Sequence, residues 1–170
     1  MATHNSRLND ALTRSRSEHS STRVGAIPDL GLLIAEPEAR ARLVEMLDDD
    51  IVTMEIDAAD VLVRYGGDSG LARVLDVLGR RRDDPDADYI AYRLYELDAS
   101  GEKPVIDIAE SMRELLSDNA LVGLEDLLVL RFPETPRPNG AGLKGWSAGG
   151  GEGSASTMSS RPPTIGSIRM

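Results

Sequence analysis

The chain has 170 residues, a formal net charge of −10 and no cysteine. The lack of cysteine excludes disulfide bonds, thiolate metal sites and a cysteine nucleophile, and it is typical of a reducing compartment. The two histidines, His4 and His19, lie in a polar N-terminal stretch, so a histidine-based triad or metal site has no histidine in the apolar middle of the chain.

No run of residues approaches the roughly 18 apolar residues that a membrane-spanning helix needs. The apolar run 31–35 is also shorter than the core of a signal peptide, which takes about 7–15 residues. We therefore expect a cytoplasmic protein that does not associate with a membrane.

Composition divides the chain into three regions. Residues 1–25 are rich in Ser, Thr, Arg and Asn with few apolar side chains, so they are predicted to form a disordered polar tail. Residues 26–132 carry the apolar periodicity of a folded helical domain. Residues 133–170 are rich in Pro, Gly and Ser, a composition typical of a flexible tail.

Six helices are predicted in the middle region, each bounded by a capping or helix-breaking sequence. Pro37 suits a first helical turn, the acidic run 48–50 favours the start of the second helix, and Gly66-Gly67 ends that helix. No segment alternates with a period of two for long enough to form a strand, so the predicted fold class is all-α. The approximate helical ranges are 37–47, 51–65, 71–80, 87–97, 104–116 and 120–131.

The second predicted helix is apolar around most of its circumference and leaves only a narrow polar strip, formed by Thr53, Asp57, Asp60 and Arg64. Such a helix needs neighbours on more than one side, as the central helix of a stacked array has. Glu55 lies among the apolar residues of this helix. We expect it to be at a helix edge or to pair with an arginine.

A loose internal repeat runs through the domain. The segments 74–78 and 112–118 have a residue pattern similar to that of 43–50. The last leucines of the three segments are Leu47, Leu78 and Leu116, and they lie 31 and 38 residues apart. Periods of this size indicate a solenoid of helix pairs.

The stretch from Leu43 to Leu78, LVEMLDDDIVTMEIDAADVLVRYGGDSGLARVLDVL, resembles the HEAT repeat family. It has a helix, an acidic turn, a helix with the paired alanines Ala58 and Ala59, a Gly-Asp turn and a leucine-rich helix, and the resemblance extends over about residues 36–132. The resemblance implies a short α-solenoid of about three helix pairs and a role as a non-enzymatic adaptor or scaffold.

Charge indicates the kind of partner. Residues 36–132 hold 24 acidic and 11 basic side chains, a net charge of −13. This field repels nucleic acid and favours a protein partner with a basic surface, although solubility alone would also account for it. One alternative is an immunity-type inhibitor of a basic protein such as a nuclease toxin.

A second alternative is a HEAT-like enzyme or accessory subunit. HEAT-like hydroxylases hold iron with His-Glu pairs, and residues 36–132 contain no histidine, so the resemblance favours a non-enzymatic role. No cofactor is predicted. Asp84, Asp86 and Asp88 have the spacing that opens a calcium loop, but Tyr89 and Tyr95 stand where that loop needs Gly and Glu, so we expect helix capping instead of metal binding.

Two features give a candidate interaction surface. Tyr89, Tyr92 and Tyr95 form a stripe opposite the apolar face of their helix, and they either anchor a partner or pack against the adjacent repeat. The acidic strip that includes Asp57 and Asp60 is the predicted docking face for a basic partner.

The last predicted helix is apolar nearly all round, including Leu121, Val122 and Val129. A solenoid end should be polar, so we expect something to cover this helix. The candidates are the C-terminal residues through Leu143 or Trp146, a second copy of the chain in a homo-oligomer, or a different protein.

Overall fold

The computed structural model describes residues 2–132, with side chains from residue 4. This part of the chain is entirely helical, which confirms the all-α class, and none of its helices is long and apolar enough to cross a membrane. The predicted tail 133–170 lies outside the described residues. The helices are α1 (Ala2–Arg14), α2 (Ser20–Leu32), α3 (Pro37–Glu45), α4 (Val52–Tyr65), α5 (Gly67–Arg80), α6 (Ala87–Ala99), α7 (Val105–Ser111) and α8 (Asp118–Arg131), with 3₁₀ turns at Met46–Asp48 and Arg113–Leu115.

The N-terminal region differs from the predicted disordered tail of residues 1–25, because α1 and the start of α2 lie within it. Leu8 and Ala11 belong to the hydrophobic core and Leu12 packs against it. Ser15 is fully buried, and the Arg42 guanidinium donates to its carbonyl oxygen at 2.6 Å. These apolar residues are spaced three and four apart, so they lie on one helix face. They are few among polar neighbours, and the overall composition therefore does not reveal them. The folded domain therefore begins at α1.

The later helices follow the predicted order, with two local differences. α5 begins directly at Gly67, whose φ of 64° turns the chain between α4 and α5. The helix predicted over 104–116 is shorter, because α7 ends at Ser111 and Met112 adopts a non-helical φ of −112° before a 3₁₀ turn. α8 begins as predicted after Ser117, whose Oγ accepts a hydrogen bond from the Ala120 N–H at 3.1 Å.

α2 and α4 pack side by side and run in the same direction. Near the starts of both helices, Arg23 Nη2 lies 3.1 Å from Asp49 Oδ1. Near their ends, Gly31 lies against Val61, whose Cγ1 would be 3.0 Å from a Cβ at position 31. α4 also contacts α5 and α6, so it has several helical neighbours, as its wide apolar surface predicts.

Ion pairs connect the C-terminal end of α5 to three other segments. Its last residue and the two that follow are arginines, Arg80–Arg82, and each pairs with a different acidic residue at 2.6–2.9 Å. The three acidic partners are Asp48 before α4, Glu55 in α4 and Asp126 in α8. Glu55 is only 2% exposed, and its pairing with an arginine confirms the prediction made for it.

Candidate functional site

α4 and α6 lie next to each other and form one continuous surface. Arg93 Nε donates to Asp60 Oδ1 at 2.9 Å, and one turn further along α4 Arg64 Nη2 lies 2.6 Å from Oε2 of Glu102, which follows the C-terminal end of α6. The two contacts show that α4 and α6 run in the same direction. We define the α4–α6 surface as the outward side chains of Asp57, Asp60, Arg64, Asp86, Tyr89, Tyr92, Arg93 and Glu96.

The three tyrosines of the stripe differ in their exposure to solvent. Tyr89 is 59% exposed and Tyr92 is 40% exposed, whereas Tyr95 is half-buried with its ring centroid 6.1 Å from that of Tyr92. Ile90 and Leu94 on the opposite side of α6 are fully buried, as the helical spacing predicts. Tyr89 and Tyr92 therefore present their rings to solvent, and Tyr95 contributes mainly to packing beside them.

The two acidic residues predicted for this surface differ in their surroundings. Asp60 accepts hydrogen bonds from Arg64 Nε at 2.7 Å and from Arg93 Nε at 2.9 Å, so the fold already neutralises its charge. Asp57 is exposed and forms no ion pair or hydrogen bond within residues 4–132.

The electrostatic surroundings of Asp57 disfavour its charge. Partial burial and, after it, repulsion from Asp60 raise the pKa of the Asp57 carboxyl above its ordinary value, and attraction by Arg93 opposes them. The other carboxyl groups with shifted pKa values in the described part of the chain, those of Asp49, Asp84 and Glu110, shift downwards. Among residues 4–132, Asp57 thus forms no ion pair of its own, and the attraction of Arg93 does not offset the effects of burial and Asp60.

Helix geometry puts Asp57 and Tyr89 at about the same level of the surface. Asp57 precedes Asp60 by about one helical turn, and Tyr89 precedes Arg93 by about one turn. Because Asp60 and Arg93 are bonded and the two helices run in the same direction, the turns before them are also neighbours. An exposed aromatic ring beside an unpaired carboxylate can receive a lysine or arginine side chain, which pairs with the carboxylate and stacks on the ring.

The remaining predicted site residues lie elsewhere. Leu121, Val122 and Val129 are on α8, and the structure does not bring them to the α4–α6 surface. α8 approaches α6 through Leu130, which lines a small cavity together with Ala91, on the side of α6 away from Tyr89. The candidate residues therefore form two separate surfaces.

The acidic turn before α6 differs from the prediction of helix capping, because the N-cap residue Asp86 forms no side-chain cap hydrogen bond and Asp84 instead closes the turn that precedes the helix. Asp84 Oδ1 accepts a hydrogen bond from the Asp86 N–H at 3.0 Å, and Arg81 Nε donates to the other Asp84 oxygen at 2.9 Å. These bonds, with the Asp86 N–H bond contributing most, lower the pKa of Asp84. Within residues 4–132 no group of three or more His, Cys, Asp or Glu side chains is placed to hold a metal ion.

Sequence reasoning missed two features of the candidate sites. Arg93 connects α6 to α4 by its bond to Asp60. The only sequence signal for this role was the position of Arg93 one turn after Tyr89. A cleft of about 470 Å³ lies between α1 and α2, and its charged lining is largely self-paired, since Arg14 bonds Asp10 at 2.8 Å and Asp29 at 2.6 Å.

Comparison with protein-family models, with curated proteins and with solved structures finds no match to this chain.

Proposed function

We propose that this chain is a non-enzymatic protein-interaction module whose α4–α6 surface binds a basic segment of another protein. The observation that carries the proposal is the unpaired carboxylate of Asp57 at the level of the exposed ring of Tyr89. A partner lysine or arginine would neutralise Asp57 and cover Tyr89 in one contact. Tyrosine suits such a role because it offers a large rigid contact area and a polar end.

The charge distribution supports a basic partner. Residues 36–132 have 24 acidic and 11 basic side chains. Several of these cations are engaged inside the domain, among them the arginines that follow α5 and the two that bond Asp60. The field outside the domain is therefore set by the excess carboxylates, which would accelerate the approach of a cationic protein at low ionic strength.

A HEAT-like arrangement is part of the proposal. The contacts of α4 with both α2 and α6 support this arrangement, because the central helix of stacked helix pairs would contact two such neighbours. In such an array the equivalent faces of successive helices form one extended binding surface, and the α4–α6 surface is a section of it. An inhibitor of a basic toxin would use the same surface, so the alternative of an immunity-type protein stays open.

Affinity capture from the native cytosol, followed by titration with the purified captured protein, tests the proposal. Tyr89→Ala and Asp57→Asn are each expected to weaken binding about tenfold or more, as the loss of a central contact does. Raising the salt concentration should weaken the wild-type complex by screening.

Two matched controls are available in the same domain. Tyr65→Ala removes a tyrosine that is 64% exposed and lies at the end of α4, about two turns beyond Asp57, and Glu38→Gln removes an exposed carboxylate of α3. Both controls should bind as the wild type does. A captured protein that binds all five forms equally would overturn the proposed surface. If the partner is a nuclease, loss of its activity on binding would identify the chain as an inhibitor.

A further inference from the structure

The cleft between α1 and α2 has a contact between polar side chains at each end. Near the end of α1, Arg14 Nη2 lies 2.6 Å from Asp29 Oδ2 of α2. Near the start of α1, His4 Nε2 lies 2.9 Å from Oε1 of Glu36, the residue that precedes α3, so α1 and α2 run in opposite directions. The space between them, about 470 Å³, is within the range of small-molecule pockets. We call it the α1–α2 cleft, and its lining includes Arg7, Asp10, Arg14, Asp29, Leu32 and Leu33.

The ion pairs in the α1–α2 cleft leave an uncompensated charge of each sign. Arg14 is the single cation for two carboxylates, because its Nε lies 2.8 Å from Asp10 Oδ2 and its Nη2 lies 2.6 Å from Asp29 Oδ2. One negative charge is therefore in excess, and within residues 4–132 the Oδ1 atoms of both aspartates accept no hydrogen bond. Arg7 is exposed and forms no ion pair or hydrogen bond with any other residue of that range. The cleft thus offers a free cation and a partly neutralised pair of carboxylates.

These charges lie beside an apolar wall. Arg7 and Asp10 are three residues apart on α1, so their Cβ atoms are about 5–6 Å from each other. Arg7 follows His4 by about one helical turn, and Leu33 precedes Glu36 by three residues. Because His4 contacts Glu36 and the helices are antiparallel, Arg7 and Leu33 are at about the same level of the cleft. Leu32, beside Leu33, is 85% exposed and is available to cover an apolar group.

We propose that the α1–α2 cleft binds a free α-amino acid with an aliphatic side chain. Such a molecule carries a carboxylate and an ammonium group on the same carbon atom. Its carboxylate pairs with Arg7, and its ammonium group donates to the open oxygens of Asp10 and Asp29. Its side chain packs on Leu32 and Leu33.

A zwitterion fits this lining better than a ligand with one charge does. A simple carboxylate would leave the excess negative charge of the aspartates without a partner, and a simple amine would do the same for Arg7. None of the cleft residues belongs to the α4–α6 surface, so this site is independent of the function proposed above.

Titration of the isotope-labelled full chain with L-leucine, followed through the amide chemical shifts, tests the proposal. Three analogues each lack one group that the cleft would bind: leucinamide has no carboxylate, isocaproate has no ammonium group and glycine has no side chain. We expect saturable shifts in α1 and α2 with leucine. Each analogue should bind about tenfold more weakly or worse, as the loss of one charge-assisted or apolar contact does.

Two substitutions assign the charged contacts. Arg7→Gln should weaken leucine binding about tenfold without weakening the binding of leucinamide, which has no carboxylate for Arg7. Asp10→Asn should weaken leucine binding without weakening that of isocaproate. Arg73→Gln is the matched control, because Arg73 is also exposed but lies on α5, and it should bind leucine as the wild type does. Circular dichroism verifies that the variants remain helical.

Thermal unfolding gives a second measurement, since a ligand that binds only the folded state raises the unfolding temperature. Leucine should raise it more than any analogue at equal concentration. The absence of saturable shifts up to about 10 mM leucine would overturn the proposal. Equal affinity for leucine and isocaproate, unchanged leucine binding by Arg7→Gln, or shifts confined to α4 and α6 would overturn it as well.

Discussion

Gly79 and Gly123 face each other where α5 packs on α8, and neither position has room for a side chain. A Cβ at Gly123 would lie 3.1 Å from the Gly79 nitrogen and would overlap the Leu75 carbonyl oxygen. A Cβ at Gly79 would overlap the Asn119 carbonyl oxygen. All three neighbours are backbone atoms, so only a separation of the two helices could accommodate a methyl group.

Gly79→Ala and Gly123→Ala are therefore expected to lower the free energy of unfolding by at least about 2 kcal/mol, as overpacking of a close contact does. Urea denaturation measures the effect. Gly25→Ala in α2 is the control, because nothing lies within 4 Å of a Cβ there and alanine favours the helix, so it should stabilise by about 0.5–1 kcal/mol. Equal effects at positions 79 and 25 would contradict the close approach.

The ion pair between Glu55 and Arg81 gives a second prediction. Arg81 Nη1 lies 2.6 Å from Glu55 Oε1, and the Glu55 side chain is almost fully buried. Arg81→Met leaves that carboxylate without its cation and should cost about 3–5 kcal/mol of stability. Glu55→Met combined with Arg81→Met should recover much of this loss, because the buried charge is removed. A double-mutant cycle by urea denaturation measures the coupling, and additive effects would contradict it.

Asp57 gives a pH-dependent prediction. Its pKa is raised in the folded state by partial burial and by Asp60, so the folded state disfavours the anion. This penalty is absent below the ordinary carboxyl pKa, where both states are protonated, and is complete above the raised pKa. Asp57→Asn should therefore increase stability at pH 7, by less than about 1 kcal/mol because exposed charges are screened. The gain should vanish near pH 3.

Asp84 should behave in the opposite way, since the Asp86 N–H and Arg81 lower its pKa. Its carboxylate stabilises the fold above its ordinary pKa, and the contribution is lost as the pH falls through the lowered folded value. Asp84→Asn is thus expected to decrease stability at pH 7 in parallel urea titrations. The same sign of effect for Asp57→Asn and Asp84→Asn at pH 7 would contradict the two assignments.

The N-terminal helix gives a fifth prediction. Leu8 is 8% exposed and contributes to the core, so Leu8→Ala should destabilise the whole domain by about 2–3 kcal/mol. Asn9→Ala, on the exposed side of α1, should change stability by less than about 0.5 kcal/mol. Thermal unfolding compares the two variants. A neutral Leu8→Ala would mean that α1 is not part of the cooperative domain.

Helix positions could be predicted where the sequence supplies both an apolar face and a boundary signal. Pro37, Gly66 and Ser117 are such signals, and helices begin or end beside all three. α2 escaped prediction because Pro28 lies within it and normally breaks a helix. α1 escaped because its few apolar residues gain their stability from a core built by distant segments, which local composition does not reveal.

The candidate surface could be predicted only as a set of residues, without the pairing among them. The exposure of Tyr89 follows from its position opposite Ile90 and Leu94 on a helix. The difference between Asp57 and Asp60 does not follow, because it depends on Arg93, which is 33 residues from Asp60 along the chain. Tertiary ion pairs of this kind decide which carboxylates stay available to a partner.

The arginine run Arg80–Arg82 has a consequence for how the domain unfolds. Its three partners, Asp48, Glu55 and Asp126, belong to segments far apart in the sequence, so detachment of α8 also disturbs contacts that reach α3 and α4 through the end of α5. Arrays in which each repeat touches only its neighbours can lose terminal repeats one at a time. Here segments from the middle and the end of the described domain share one anchoring point, so the part from Asp48 to α8 should melt in a single cooperative step.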